Sequence, residues 1–304
     1  MSRVAGGPEL PLRLLEVFAA LMRERTTVRA AEALGVSQSS VSTALAALEE
    51  RLGFALFQRR NRRLVPTAEA LSLHREIEPV FIMLDGIEAR ARDLRSGSAG
   101  RLRVLATPPL GHTVAPVALK RFLDGRSQVS VDYDVRRADS VIEAVAFGAA
   151  DVGLVLGMEN RADVEAEVIE AAAMVALAPP DHPLADAPRV GAADAAAAGF
   201  VGLHAGSRLG RLLRGAFVEA GAPYAPRVEV RYCHTAAVLA EAGLGVAVVD
   251  QFTARFVDRR ALVARPFLPA ISAPCMLLTR KEAPPSRLVA AFAEEVRRAA
   301  RDCR

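Results

Sequence analysis

The spacing of hydrophobic positions predicts a run of short helices at the start of the chain. An apolar stripe with spacings of four and three residues marks the first helix, at Leu14, Phe18 and Leu21. A second helix follows the segment RERTT and ends at Gly35, and either Thr26 or Thr27 is placed to cap its first turn. The turn at Gly35 leads directly into a third helix.

The third helix, residues 37 to 53, joins a polar first turn to an apolar face on its later turns. The apolar face consists of Val41, Leu45, Leu48 and Leu52. The polar side chains are short and come from residues that form helices poorly, namely Gln38, Ser39, Ser40, Ser42 and Thr43. The following segment, LFQRRNRRLVPT, places two apolar stretches around a basic tip, which predicts a short hairpin.

A heptad pattern predicts one long helix over residues 69 to 95. Its hydrophobic positions alternate at spacings of four and three, at Leu73, Ile77, Val80, Leu84, Ile87, Ala91 and Leu94. A seam of this kind needs a partner helix, and a second copy of the chain is the simplest one. The alternative is a core helix within one domain. Pro79 lies inside the pattern and is expected to kink the helix or restart it.

Strand and helix patterns alternate after SGSAG, residues 96 to 100, whose composition is typical of a flexible hinge. One series ends with DVGLVLG, and a second begins at AMVALAPP. This alternation predicts an α/β fold with parallel strands over residues 101 to 304. Two series predict two subdomains around a cleft, the first at about 101–163 and 268–304 and the second at about 164–267.

Composition is that of a globular protein and argues against several classes of function. A length of 304 residues is enough for two or three domains. Of these residues, 52% are hydrophobic and 24% are charged, as in a typical globular protein. The 3 cysteines lack CxxC spacing and do not fit a disulfide framework or a zinc site. Neither a signal peptide nor an apolar run of about 20 residues is visible. We therefore expect a cytoplasmic protein with no membrane segment, no metal and no cofactor.

Arginine is concentrated beside the third helix, although the net charge of +4 is modest. Residues 51 to 63 contain no acidic side chain, and their basic residues are Arg51, Arg59, Arg60, Arg62 and Arg63. A local run of this kind can neutralise phosphate groups.

A helix, a tight glycine turn and a second helix together form a helix-turn-helix. A recognition helix enters the major groove of DNA by its N-terminal end, where large apolar groups have no use. Gln can pair with adenine, and Ser or Thr can reach base edges or phosphates, so the polar first turn fits this role. The hairpin is then a wing whose four arginines hold the DNA backbone or minor groove. A helix pair can also be plain scaffold, but the polar turn and the basic hairpin together favour DNA binding.

The segment AAEALGVSQSSVSTALAALEERLGFALFQRRNRRLVPTAEA resembles the N-terminal domain of LysR-type transcriptional regulators. FGAADVGLVLG, ALAPPDHPLA and LAEAGLGVAVVD are similar to recurring segments of the family's effector domain. TTVRAAEALGVSQ and GLGVAVVDQFTA look most like the branch that contains LysR itself and the amino-acid and opine regulators. The chain departs from the pattern at Thr43, where the family often has Arg, and in lacking the glycine that usually follows the Thr-x-Ala segment.

The resemblance implies an N-terminal all-α winged helix-turn-helix domain (10–68), a dimerising linker helix (69–95), the hinge and a periplasmic-binding-protein-like effector domain (101–304). It also implies double-stranded promoter DNA as a partner, usually bound by a tetramer at an inverted repeat. A small molecule between the α/β subdomains would alter DNA bending and hence transcription. RNA polymerase is left open as a further partner, as is the choice between dimer and tetramer.

The same residues give weaker support to two other classes of function. An enzyme that binds a dinucleotide needs a strand, a glycine turn and then a helix, whereas GLGVAV lies after a helix and before a strand. Ser207 lacks the spacing of a nucleophile elbow, and the 5 histidines have no metal-ligand spacing. A solute-binding protein would share the effector fold but would have a signal peptide and no DNA-binding head.

Effector-binding candidates follow from the rule that ligands lie at the carboxyl ends of strands, near helix N-termini. They are Thr107, Ser207, Arg208, His234, Thr235 and Asp250. We expect Asp250 to bind an ammonium group and the helix N-termini to bind a carboxylate, as an amino acid or a related metabolite would require. The alternative is that each Ser or Thr caps a helix, and that Asp250 caps the short helix FTARFV.

Overall fold

A computed structural model describes residues 10–60, 63–96, 100–158, 161–258, 260–281 and 286–302. The chain forms two compact units, one up to Leu84 and the other from Asp85 onward. We call them the N-terminal unit and the C-terminal unit and describe each by itself. No helix of the described residues is both long enough and apolar enough to cross a membrane.

The N-terminal unit consists of three short helices, a hairpin and the first part of a long helix. Their bounds are α1 (Leu12–Glu24), α2 (Thr27–Leu34), α3 (Gln38–Leu52), β1 (Phe57–Arg60), β2 (Arg63–Pro66) and α4 (Ala68–Ser96). Thr26 is the residue that caps α2, since its side chain accepts a hydrogen bond from the amide of Arg29 at 3.3 Å. Gly35 ends α2 with φ of 64°, a left-handed conformation that glycine adopts without strain.

One apolar core holds the N-terminal unit together. Phe18 and Leu21 of α1 are fully buried, as are Val41 and Leu48 of α3. The ring of Phe18 lies 5.9 Å from that of Phe57 at the start of the hairpin, so the hairpin packs on the same core as the helices. This packing fixes the position of α3 relative to the hairpin.

The long helix α4 belongs in part to this core, which corrects one expectation. The seam was expected to pair with a second copy of the chain, yet Ile77 is buried in the N-terminal core of its own chain and Leu73 packs against that core. Further along, Val80 is 37% exposed and Ile87 is 58% exposed, and the side chains of Ala91 and Leu94 lie outside the described part. The helix continues through Pro79 as a single element.

The C-terminal unit alternates helices and strands, as predicted. Its first elements are β3 (Arg101–Ala106), α5 (Pro108–Gly111), α6 (Val114–Leu123), β4 (Ser130–Val135), α7 (Ala138–Ala146), β5 (Val152–Leu156) and β6 (Val164–Ala178). The remaining elements are β7 (Val190–Gly191), α8 (Ala192–Ala198), β8 (Phe200–Leu203), α9 (Arg208–Glu219), β9 (Val228–Val230), α10 (Cys233–Glu241), β10 (Val246–Asp250), α11 (Gln251–Arg255), β11 (Val263–Leu268), β12 (Ser272–Arg280) and α12 (Arg287–Asp302).

The strands form a mixed sheet in the order β4-β3-β5-β12-β6-β10-β8-β9, with β11 paired to β6 and β7. The expectation of parallel strands is wrong for β6 and β12. β3 is parallel to β4 and β5, and β8 is parallel to β9 and β10, but β6 and β12 run antiparallel to their neighbours. The chain crosses between the two parts of the sheet along β6 and β12, so these two strands run opposite to their neighbours.

The 15-residue strand β6 divides the sheet into two halves. Its residues up to Ala173 pair with β12, and from Met174 onward it pairs with β10 and β11. We call the part containing β4, β3, β5 and β12 sheet half I, and the part containing β10, β8, β9 and β11 sheet half II. The predicted subdomain boundary at residues 163 and 164 therefore falls at the start of this shared strand, before the crossing.

Candidate nucleic-acid interface and ligand cavity

The first turns of α3 present polar side chains to solvent, whereas the helix packs through Val41 and Leu48. Ser39 and Thr43 lie one turn apart and are exposed, opposite the buried face. Gln38 and Ser40 are also exposed, and Ser42 is half-buried. The outward-facing surface of α3 is therefore lined by short hydroxyl groups and one amide.

Hydrogen bonds order the beginning of α3 before any partner is bound. Ser37 caps the helix, since its Oγ accepts a hydrogen bond from the amide of Ser40 at 3.1 Å. The same Oγ lies 2.8 Å from the hydroxyls of Ser39 and of Ser40. Gln38 Nε2 donates to Thr27 Oγ1 at 3.1 Å, which connects α3 to the first turn of α2. The first turn of α3 is thus held by a hydrogen bond to α2 as well as by its own N-cap.

The hairpin is an antiparallel pair in which Arg60 lies opposite Arg63 and Arg59 opposite Leu64. It is anchored at both strands. Glu49 Oε1 of α3 accepts hydrogen bonds from the backbone amides of Leu56 and Phe57 at 2.6 and 3.2 Å. The amide of Leu64 donates to the carbonyl of Arg25 at the end of α1 at 3.0 Å.

The four predicted wing arginines can be placed only in part. Arg59, Arg60 and Arg63 lie on the two strands next to the tip, although their side chains are outside the described part of the structure. Arg62 is one of the residues that the structure does not describe. The backbone therefore brings three of the four close to the tip of the hairpin that α3 anchors.

A cavity of about 360 Å³ opens in the C-terminal unit between the ends of strands from both sheet halves. Its walls contain three of the predicted effector-binding residues, Thr107, Ser207 and Arg208. A volume of this size is that of a site for a small molecule. The other residues around it are Pro108, Pro109, Arg137, Ala138, Asp139, Ile142, Leu156, Gly157, Met158, Arg161, Gly206, Leu209, Arg211, Arg231, Tyr232 and Cys233.

Two of these predicted residues use their hydroxyls within the protein. Thr107 Oγ1 donates to a backbone carbonyl of β5 at 3.3 Å and accepts from a β5 amide at 3.4 Å. Ser207 Oγ donates to the carbonyl of His204 at 2.9 Å and accepts from the amide of Gly210 at 3.0 Å, so it caps α9. Both residues form part of the cavity wall. Ser207 caps a helix, which is the alternative role considered for the Ser and Thr candidates.

The side chain of Arg208 lies close to Gly157, the residue that follows β5. A Cβ atom at Gly157 would lie 3.1 Å from Arg208 Cγ, and the glycine has φ of +75°. Glycine is therefore the residue that suits both the backbone conformation and the close approach.

The other three predicted effector-binding residues are not on the cavity wall, which corrects their expected positions. Asp250 is fully buried and caps α11, accepting hydrogen bonds from Thr253 N at 2.9 Å and Thr253 Oγ1 at 2.7 Å. Its burial raises the pKa of its carboxyl above the ordinary value. His234 and Thr235 are exposed in the first turn of α10, where the ring of His234 faces His112 at 5.9 Å between centroids. Asp250 is thus shielded from a ligand in the cavity.

The sequence reasoning missed Cys233 and four arginines on the cavity wall. Cys233 is buried beside Asp250, and burial raises the pKa of its thiol well above the ordinary value. Arg137 follows β4 and Arg231 follows β9, so the strand-end rule could have found both of them. Arg161 lies before β6 and Arg211 lies within α9, and no strand ends at either.

A winged helix-turn-helix joined to a two-half α/β unit with a cavity defines a DNA-binding regulator with a ligand-binding domain. Residues 12–71 match the bacterial regulatory helix-turn-helix of the LysR family, and residues 95–301 match the LysR substrate binding domain. The chain belongs to the LysR family of transcriptional regulators. The predicted family and fold class are both confirmed.

The chain is similar over nearly its whole length to named regulators. It is 30% identical over 292 residues to the octopine catabolism/uptake operon regulatory protein OccR of Rhizobium meliloti, covering 93% of this chain and 94% of OccR. It is 29% identical to the regulatory protein NocR of Agrobacterium fabrum, with coverage of 92% and 93%. It is 29% identical to the transcriptional activator LysR of Escherichia coli, with coverage of 92% and 90%. These relatives agree with the predicted branch.

Solved structures share the fold of the complete chain. The crystal structure of CbnR, a LysR family transcriptional regulator, matches with a TM-score of 0.67 and 21% identity, over 96% of this chain and 99% of CbnR. Full-length CbnR in complex with its target DNA matches with a TM-score of 0.64 and 22% identity, over 95% and 100%. Both matches extend over the N-terminal and the C-terminal unit of this chain.

Proposed function

We propose that the chain reads promoter DNA with the first turns of α3, holds the DNA backbone with the hairpin arginines, and responds to a small molecule in the cavity. The observation that carries this proposal is the exposed row of polar groups on α3. A helix surface that had to pack would be apolar, whereas base edges are read by hydrogen-bonding side chains. Ser39 and Thr43 point most directly outward, and Gln38 and Ser42 flank them.

The hairpin supplies sequence-independent affinity in this proposal. Arginines on a hairpin anchored by Glu49 and by the carbonyl of Arg25 are held at a fixed distance from α3. Contacts with phosphates position a recognition helix but carry no base information. Arg59, Arg60, Arg62 and Arg63 are assigned this role, and Ser40 has a supporting one because its hydroxyl contacts the cap.

We further infer that two copies pair through α4 and that the pairs form a tetramer. Val80 and Ile87 are large apolar side chains left exposed on the seam, and such groups are normally covered by a partner. Two recognition helices related by a two-fold axis match the two half-sites of an inverted repeat. The assembly works in the cytoplasm, where promoter DNA lies, and RNA polymerase is its natural further partner.

The effector site is assigned to the cavity lined by Thr107, Ser207 and Arg208. Its walls come from both sheet halves, so a bound molecule can favour one arrangement of the two over another. The name of OccR connects one relative of this chain to the catabolism and uptake of octopine, which supports a small organic effector here. An ammonium site at Asp250 has lost its support, since that carboxyl is buried.

The proposal is tested by selecting sites from a pool of random double-stranded DNA with the full chain. We expect enrichment of an inverted repeat whose half-sites lie on one face of the duplex. The double variant Ser39→Ala, Thr43→Ala should fold with unchanged helical content and lose the enrichment. A wild-type chain that enriches no sequence, or a variant that enriches the same one, would contradict the assignment.

A further inference from the structure

The cavity in the C-terminal unit has a strongly one-sided charge. Among the described residues, five arginines contribute to its wall, whereas Asp139 is the one carboxylate that lines it. The arginines come from both sheet halves, and they are Arg137, Arg161, Arg208, Arg211 and Arg231. Guanidinium groups pair with carboxylates and phosphates in a planar, two-pronged geometry. The wall is therefore built to receive negative charge.

Ion pairs within the protein neutralise only part of this charge. Arg161 donates to both carboxylate oxygens of Asp163, at 3.0 and 2.6 Å. Arg137 lies 3.7 Å from Asp139, at the outer limit of an ion pair. Arg211 approaches only a backbone carbonyl, at 3.5 Å, and across the described residues neither it nor Arg231 has a carboxylate partner. Within the described part of the chain, Arg211 and Arg231 of sheet half II are thus the cavity arginines that have no carboxylate partner.

The beginning of α9 adds donors at the same place. Ser207 caps the amide of Gly210, and the amide of Arg211 binds the carbonyl of Ser207. The backbone amide of Leu209, a buried residue of the cavity wall, meets no acceptor among the described residues. An acid group placed there would accept this hydrogen bond at the positive end of a 12-residue helix, in the cavity that Arg211 and Arg231 also line.

The opposite wall lacks donors of this kind at α5, because Pro108 and Pro109 have no amide hydrogen. Positive charge on that side comes instead from Arg137, which immediately precedes α7, and from Arg161. Anion-attracting side chains therefore line the cavity on both sheet halves, and the wall also contains apolar residues such as Ile142 and Leu156.

We infer that the effector is a small molecule with at least two acid groups, one held at the start of α9 by Arg211 and Arg231 and the other by Arg137. This inference rests on the proposed function and names the chemical class of its ligand. Among the described residues of the cavity wall, an amino group on the effector finds no free counter-charge, since Asp139 already neighbours Arg137. The acid groups are carboxylates, phosphates or one of each.

The test measures ligand binding to the full chain by isothermal titration and thermal shift at constant ionic strength, since salt weakens such contacts. The probes are succinate, glutarate and adipate as dicarboxylates, 3-phosphonopropionate as the phosphonate counterpart, glutamate, butyrate and putrescine. We expect one of the dianions to bind at least about tenfold more tightly than butyrate, and glutarate to bind no more weakly than glutamate. The phosphonate separates a phosphate-type ligand from a dicarboxylate.

Variants locate the site. Arg231→Gln and Arg137→Gln should each reduce affinity for the preferred dianion at least about tenfold. Arg121→Gln is the matched control, because Arg121 lies on α6 and pairs with Asp302, away from the cavity. Failure of all dianions to bind, preferential binding of putrescine or butyrate, or equal binding by the wild type and both cavity variants would overturn the inference.

DNA binding by the same preparation separates this inference from the proposed function. A chain that enriches an inverted repeat but binds none of the dianions would retain the proposed function and lose the assigned ligand class. A chain that binds a dianion in the cavity but enriches no DNA sequence would do the reverse.

Discussion

Gln38 of α3 donates a hydrogen bond from its side-chain amide to Thr27 Oγ1 at the start of α2, at 3.1 Å. A Gln side chain has two amide hydrogens and a carbonyl oxygen. The contact with Thr27 uses one hydrogen, which leaves the oxygen and the second hydrogen for the paired contact that Gln makes with adenine. The scaffold helix therefore orients the side chain without using up its capacity to read a base.

Gln38→Ala should remove a base contact and thereby alter sequence preference. We expect a loss of about 1–3 kcal/mol on the selected site and a relaxed preference at one base pair of each half-site. Thr27→Val keeps the shape and removes only the orienting hydroxyl, so it should weaken discrimination at that base pair by less. Fluorescence anisotropy on the selected site and its single-base variants measures both effects. Unchanged preference in Gln38→Ala would show that the amide serves only to join the helices.

The hairpin arginines should act on every sequence alike. Arg59→Gln and Arg63→Gln each remove one positive charge next to the tip, so the slope of log K against log salt should become less steep by about 1. The ratio of affinities for the selected site and for random DNA should stay the same. Arg298→Gln makes the same charge change in α12, where Arg298 pairs with Glu294 and Glu295, and should leave the slope alone. A changed affinity ratio in the hairpin variants would indicate base reading.

The exposed part of the α4 seam should mediate pairing. Ile87 is 58% exposed, so Ile87→Arg should leave the fold intact while placing a charge in the seam. Sedimentation velocity at micromolar concentration should then show smaller assemblies than the wild type. Leu71→Arg is the matched control, since Leu71 is also on α4, is 49% exposed and lies off the seam. Equal sedimentation of all three proteins, or a wild type that is monomeric, would contradict pairing through this helix.

The N-terminal unit was predictable because its signals are local. Thr26 and Gly35 mark the ends of α2 by chemistry that acts within one turn, and the apolar stripe of α1 is read directly from its spacing. The burial of Ile77 was not predictable in this way. A heptad pattern shows that a residue faces a partner, but not whether the partner is another chain or the core beside it.

The C-terminal unit was less predictable because its defining features depend on distant segments. The first part of β6 contains VEAEVIEAA, whose acidic residues hide a strand that pairs with β12. The segment of α8, AADAAAA, has no apolar periodicity to reveal a helix. Antiparallel pairing follows from where the chain returns, which alternation of elements does not reveal.

The cavity shows the same limit at the level of side chains. The strand-end rule located Thr107, but it says nothing of how deep a residue lies, and Asp250 ends its strand facing inward. Ser207 illustrates the second difficulty, since its hydroxyl was assigned to a ligand and is used as a cap. Arg231 directly follows β9, just as Thr107 directly follows β3, and the long side chain of Arg231 reaches the cavity.

Burial of Asp250 should give the protein a distinctive dependence of stability on pH. Burial raises the pKa of this carboxyl above its ordinary value of 3.8. Below 3.8 the group is protonated in the folded and the unfolded chain. As the pH rises, the unfolded chain loses the proton first, so the folded state loses relative stability until the pH passes the raised pKa. Above that point the contribution of Asp250 no longer changes with pH.

Asp250→Asn has no such proton and provides the reference for this last prediction. The free energy of unfolding of the wild type minus that of Asp250→Asn should be largest in acid and should fall as the pH rises above 3.8. Urea unfolding across the pH range measures this difference, and other titrating groups cancel in it. The Thr253 hydroxyl donates to Asp250 at 2.7 Å and thereby lowers the pKa of the Asp250 carboxyl. Thr253→Val removes this hydroxyl, so in a chain that carries Thr253→Val the free-energy difference should continue to fall to a higher pH. A difference that grows with pH would mean that the folded protein stabilises the Asp250 carboxylate, and it would contradict a raised pKa for this buried aspartate.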